Sequence, residues 1–144
     1  MENKTSIYVN DGKKIKEILV DVKEAEKMYR NNHLEVYPQY FFQKMQKLRK
    51  WQNAIGERIA KQFQITSVVD FGCAAGYYLE GFYSENATVY GIEYSYESVE
   101  RYIPDNMKHF IIYGDVGDKH ILPVKYQMAF SIEVAEHILP EKSE

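Results

Sequence analysis

The sequence is poor in cysteine. Cys73 is its one thiol, so no disulfide can form within the chain. It lacks long apolar runs: nothing approaches the roughly 18 residues that a membrane-spanning helix needs. The start, Met1 to Thr5, is polar and charged and has no apolar stretch of the kind a secretory signal carries. Internal repeats and low-complexity stretches are absent too. Together these absences point to a reducing, cytoplasmic setting with no membrane partner.

What is present is a chain of 144 residues with 45% hydrophobic content, enough for a packed core and against wholesale disorder. The length suits one domain, at about 100–200 residues per domain. Charge is unevenly spread. Residues 1–65 hold 13 basic and 8 acidic side chains, net +5, whereas residues 66–144 hold 5 basic and 13 acidic, net −8. The asymmetry suggests two functional halves, a mainly helical extension over 1–65 and a second unit over 66–144.

In the first half, Asn10-Asp11-Gly12 is a turn signal between Ile7-Tyr8-Val9 and Ile15 to Val20, which predicts a hairpin. The second arm reads as helix as well, with Ile15, Ile18, Leu19 and Val22 at 3–4 spacing. Asp21 to Asn31 is rich in helix formers. Pro38 opens a long helical pattern to about Phe63, with Phe41, Met45, Leu48, Trp51, Ile55 and Ile59 near one face and several lysines and arginines off it.

From residue 66 the period changes. Thr66 to Phe71 is a β-branched run ended by glycine and reads as a buried strand. Gly76 to Phe82 reads as helix, Ala87 to Ile92 as strand, Ser95 to Tyr102 as helix, His109 to Tyr113 as strand, Gln127 to Ile132 as strand, and Glu133 onward as helix. Strands alternating with short helices imply a parallel sheet with crossovers.

The strongest signal is Val68-Val69-Asp70-Phe71-Gly72-Cys73-Ala74-Ala75-Gly76: a strand ending in an acid, then a loop of small residues that turns into a helix. Small residues let the backbone approach a ligand closely, and a helix start offers free N–H donors. Glu93 follows 17 residues after Gly76, at the end of the next strand, where an acid can accept both hydroxyls of a ribose. Gly114-Asp115 follows the third strand. There the Asp115 carboxylate can accept from an adenine amino group while the Val116 N–H donates to a ring nitrogen.

Taken together these segments resemble the class I S-adenosylmethionine-dependent methyltransferases. Asp70 to Gly76 is similar to that family's D/E-x-G-x-G-x-G loop, with Ala74 in place of the middle glycine. Gly91-Ile92-Glu93-Tyr94-Ser95 resembles the family's acidic segment after its second strand, Gly114-Asp115 its third motif, and Ser131-Ile132-Glu133-Val134-Ala135-Glu136-His137-Ile138 its post-strand segment. Gln127 stands where the family commonly has Asp. The resemblance covers about residues 66–140. It implies a Rossmann-like α/β fold and S-adenosyl-L-methionine as cofactor. By position, Asp70 and the backbone of Gly72, Cys73, Ala74 and Gly76 would hold the amino acid end, and Glu93 the ribose. Ile92 and Tyr94 would flank the adenine, Asp115 and Val116 would read its edge, and Ser131 and Glu133 would lie near the methyl donor.

Other readings stand beside these. A nicotinamide dinucleotide loop wants G-x-G-x-x-G, and Ala74 and Tyr77 occupy its second and third glycines. Asp115 can simply cap a turn, and Glu93 can be a solvated loop acid. Cys73 reads as a small loop filler rather than a nucleophile, with no base at readable spacing. Glu133, Glu136 and His137 share one face of the expected helix and form a candidate divalent-metal site; the spacing is similar to that of small-RNA 2′-O-methyltransferases. His137 is also the candidate general base. Tyr29, Tyr37 and Tyr40 suit either a lid over the ligand or core packing. The Lys44–Lys50 run with Trp51 reads as a grip for RNA or as a solvated face.

The function expected is methyl transfer to a small-molecule acceptor, with an RNA methyltransferase or a non-catalytic cofactor-binding or interaction module as alternatives. The family fold has seven strands in the order 3-2-1-4-5-7-6, and this chain reaches the fourth. The expectation is therefore the front part of a larger enzyme, with strand four as an open edge at which self-association can occur.

Overall fold

The change of hydrophobic period near residue 66 marks a change of architecture in the computed structural model, which describes residues 4–10, 15–31, 36–96, 98–120, 122–135, 138 and 142. Ahead of it, β1 (Lys4–Asn10) and β2 (Ile15–Asp21) pair antiparallel with Ile7 opposite Ile18. A third strand, β3 (Val36–Pro38), pairs with the other side of β1, giving the order β2-β1-β3. The arm that reads equally as strand or helix is therefore strand, because it runs in register beside β1 along all seven residues. The turn itself, 11–14, lies outside the described residues. The helix α1 (Val22–Asn31) follows β2 directly, and the Asp21 carboxylate accepts the Lys23 N–H at 2.8 Å as its start signal.

The long helix α2 (Gln39–Phe63) begins immediately after Pro38, as the sequence predicts. It lies against α3 (Tyr77–Ser84), the helix that leaves the glycine loop. The two backbones meet at Gly56 and Gly81. A Cβ on Gly56 would run into the Tyr78 carbonyl oxygen and stand 3.1 Å from the Phe82 nitrogen; one on Gly81 would run into the Asn53 carbonyl. Neither helix could sit so close with side chains at those positions. Beside the crossing, Arg49 pairs with Glu80, and the Asn53 side-chain amide donates to Glu80 at 2.9 Å.

The second half builds a four-stranded, all-parallel sheet from β4 (Ser67–Phe71), β5 (Thr88–Glu93), β6 (Ile111–Tyr113) and β7 (Met128–Phe130), in the order β6-β5-β4-β7. The result is a mixed α/β architecture compatible with a Rossmann-like fold. The core joins Val68 and Val89 from the sheet to Leu79 and Phe82 of α3 and to Ile103, Met107 and Ile111 beyond β5. Gln127 works at the amino edge: its side-chain oxygen accepts the Thr66 N–H at 2.8 Å, and its own N–H donates to the Ser67 hydroxyl at 2.9 Å, so it aligns the starts of β4 and β7.

Two expected helices differ. Ser95 to Tyr102 is helical but widens: Tyr96 is α-helical and the Val99 N–H donates to the Ser95 carbonyl at 3.1 Å, whereas Ser98–Tyr102 is a π-helical turn, where the Ile103 N–H reaches back to the Ser98 carbonyl and the Ser95 hydroxyl takes the Ser98 N–H. Pro104 then prevents extension. The helix expected from Glu133 does not start there: Glu133 has φ 53°, a left-handed backbone.

Gly81→Ala is expected to lower stability by about 1–3 kcal/mol through overpacking, despite alanine's better helix propensity. Urea denaturation measures it, and an unchanged or raised midpoint would contradict the close backbone approach.

Candidate functional site

Parallel strands bring all their carboxyl ends to one edge, so the residues after β4, β5, β6 and β7 converge although they lie far apart in sequence. That edge carries Asp70, the loop Gly72–Gly76, Glu93 with Tyr94, Asp115 with Val116, and Ser131 with Glu133.

The glycine loop is tied to the end of β5. The N–H groups of Gly72 and Cys73 both donate to the Ile92 carbonyl, at 2.8 and 3.1 Å. The Glu93 carboxylate accepts the Ala74 N–H at 2.6 Å on one oxygen and the Ser95 N–H at 2.7 Å on the other. Gly72 and Gly76 have φ of 79° and 72°, which glycine adopts without strain. Ala74, in the place of the middle glycine, also has a positive φ, 48°, which an alanine side chain opposes.

Asp70 and Glu93 are both almost fully buried. Burial is the main force on each. It lifts Asp70 well above the ordinary carboxylate range, with the neighbouring Glu93 charge adding to it. It pushes Glu93 up to about 7, against the pull of the backbone N–H groups of Ser95, Ala74 and Tyr94. Cys73 tucks its thiol against Gly91, where a Cβ would sit 2.7 Å from the sulfur. Burial, then the Asp70 and Glu93 charges, raise that thiol far from reactivity. As a side chain it fills space, and only its backbone serves the loop.

At the next strand end, the Gly114 N–H donates to the Glu93 carbonyl at 2.8 Å, which fixes the Asp115 loop beside β5. The Asp115 carboxylate accepts the Gly117 N–H at 2.8 Å and the Lys142 ammonium at 2.7 Å. Burial works to raise it, and the Lys142 and Gly117 hydrogen bonds outweigh that and hold it below its usual range. Asp115 thus does the turn-capping that the sequence allows, with Lys142 added. Val116 is half-buried in the same turn.

The segment after β7 crosses the loop. The Ser131 hydroxyl donates to the Phe71 carbonyl at 3.0 Å, and Val134 lies directly on Gly72, with its Cγ1 3.0 Å from where a Cβ would be. Glu133 is exposed. Glu136 and His137 lie outside the described residues, so the general-base and three-residue metal readings rest there on sequence. No group of three metal-ligating side chains occurs among the described residues.

Three contributors were not anticipated. Tyr113, the last residue of β6, stacks on Tyr94 with ring centres 6.4 Å apart, and Tyr96 stands edge-on to it at 6.0 Å. Its position just before Gly114-Asp115 was the available signal. Phe42 stacks on Tyr102 at 5.1 Å, and Phe41, Phe42 and Met45 of α2 cover Ala74, Ala75 and Tyr77. A lid is one of the two readings open for Tyr29, Tyr37 and Tyr40, whose side chains lie outside the described residues. Lys142 had no readable signal, since nothing in the pattern joins it to Asp115.

Comparison with protein-family models, with curated proteins and with solved structures finds no match.

A carboxyl that binds its proton more tightly in the fold than in the unfolded chain favours the fold at low pH. Glu93, moved from 4.5 to about 7, should therefore leave stability highest below pH 4.5 and lower it progressively as pH rises to 7. The expected loss is on the order of 3 kcal/mol at 1.36 kcal/mol per unit. Denaturation midpoints across that range measure it; Glu93→Gln should flatten the decline, with Asp70 keeping part of it, and an identical slope in the variant would contradict the assignment. Ala74→Gly should stabilise the fold by about 1 kcal/mol by removing the positive-φ strain; a loss of stability in a thermal melt would contradict it.

Proposed function

We propose that this chain binds S-adenosylmethionine at the carboxyl edge of its parallel sheet and serves methyl transfer to a small-molecule acceptor. The observation that carries the reading is the pairing of the Asp70–Gly76 loop with Glu93 across adjacent parallel strands, tied by the Glu93–Ala74 hydrogen bond. The β6-β5-β4-β7 order supports it, being the 3-2-1-4 order of the resembled fold.

The donor set suits the cofactor. Glu93 would take the ribose hydroxyls, the loop N–H groups the amino acid carboxylate, and Asp70 the ammonium. Tyr94 and Tyr113 offer flat aromatic surface for adenine, with Asp115 and Val116 at its edge, whereas Ile92, expected beside them, is wholly buried beneath. A carboxylate has about four acceptor sites, and backbone N–H groups of Ala74, Ser95 and Tyr94 use three of those on Glu93. Accepting both ribose hydroxyls therefore means giving up the Ala74 N–H, and the loop would rearrange as the ligand enters.

The bound cofactor supplies an activated methyl group on a sulfonium. The protein's part is to align donor and acceptor and exclude water. Burial of Asp70 and Glu93, and the cover of Phe42 and Met45, suit that task. The excess of acid in residues 66–144 favours a small acceptor over a polyanion at this edge.

Isothermal titration calorimetry with S-adenosylhomocysteine should show saturable binding, weakened at least 10-fold by Glu93→Ala and by Asp70→Asn in chains that keep the wild-type circular dichroism. Absence of binding, or binding indifferent to both changes, would overturn the reading.

A further inference from the structure

The solvent face of α2 is unused by the site and has a distinct chemistry. Between Glu35 and Glu57 the sequence holds no acid at all, but carries Lys44, Lys47, Arg49 and Lys50. Arg49 is spent on Glu80 and Lys61 on Glu85. Lys47, Lys50 and Arg58 are exposed and form no ion pair among the described residues. In their midst is Trp51, the chain's one tryptophan, 59% exposed, with Leu48 beside it 45% exposed. At about 100° per residue, Trp51 points roughly 140° away from Gly56, the contact with α3. Lys47 and Arg58 lie within about 40° of the Trp51 direction, one turn before it and two turns after it, along some 16 Å of helix, and Lys50 stands about 100° round, on the flank that Glu57 shares. Glu57, the nearest acid on the helix, is turned about 120° from Trp51 and faces the Ser84 hydroxyl at 3.3 Å.

We infer that this face docks single-stranded RNA, with Trp51 stacking on an unpaired base and Lys47, Lys50 and Arg58 contacting the flanking phosphates. An exposed tryptophan ring with cations before and after it along the helix complements a strand that alternates flat bases with phosphates. A lipid surface would call for a wider apolar stripe than Leu48 and Trp51 supply, since Lys47 and Arg58 interrupt it before and after the ring. This face shares no residue with the carboxyl edge, so its role here is docking.

The single tryptophan makes the test direct. Titration of the intact chain with a 12-nucleotide single-stranded RNA of mixed sequence should quench Trp51 fluorescence to saturation. The affinity should fall with salt at a log–log slope near −2, about −0.7 for each of three phosphate contacts. The triple variant Lys47→Gln, Lys50→Gln, Arg58→Gln should abolish most of that slope. Trp51→Ala, followed by anisotropy of labelled RNA, should weaken binding about 5- to 150-fold with unchanged circular dichroism. The inference is overturned by absence of quenching at low salt, by binding that neither variant alters, by tighter binding of the matching DNA strand, or by response to phosphatidylserine vesicles with none to RNA.

Discussion

One hydrogen bond holds the candidate site together: the Glu93 carboxylate on the Ala74 N–H. It joins the end of β5 to the middle of the loop that leaves β4. Around it the Ile92 carbonyl takes two further loop N–H groups, and Gly114 closes on the Glu93 carbonyl from β6. Each of these contacts needs the neighbouring strands to be parallel and in register, Phe71 opposite Ile92 and Glu93 opposite Tyr113. Remove the Glu93 side chain and the loop keeps its strand but loses the side-chain acceptor that positions Ala74.

The close fit explains the small residues around it. Gly91 leaves room for the Cys73 thiol, Ile111 and Leu79, which crowd the one point where a Cβ would stand. Gly72 accepts Val134 from the segment beyond β7. Gly56 and Gly81 let α2 approach α3, which in turn brings Phe42 and Met45 over Ala74 and Ala75. The helical half of the chain is thus attached to the glycine loop through the helix that the loop starts, and a change at the α2–α3 crossing reaches the site through one intervening element.

The sheet was legible because β4, β5 and β6 are rich in β-branched or aromatic residues, and because the motifs fall at strand ends. The site residues after β4 and β5 were legible for the same reason. What could not be read was set by contacts across long sequence separations. The hairpin's second arm has both periods, and only pairing with β1 decides between them. Glu133 carries a helix-forming residue type in a left-handed backbone, because the segment there has to turn across Gly72 to seat Val134. Tyr113 and Lys142 join the site through stacking on Tyr94 and pairing with Asp115, partners that no local pattern reveals.

The buried acids give the site its direction. Asp70 and Glu93 are lifted by burial, and no cation among the described residues pairs with either. Buried carboxylates without a counter-charge weaken a fold at neutral pH, so their presence side by side is a liability that packing alone does not explain. A ligand that brings a positive charge to Asp70 and two hydroxyl donors to Glu93 would reverse that liability, neutralising one acid and solvating the other. The same ligand would release the Ala74 N–H, freeing a loop donor at the moment an incoming carboxylate needs one. On the proposed reading, burial and charge at this edge would suit an occupant that brings an ammonium group to Asp70 and hydroxyl donors to Glu93.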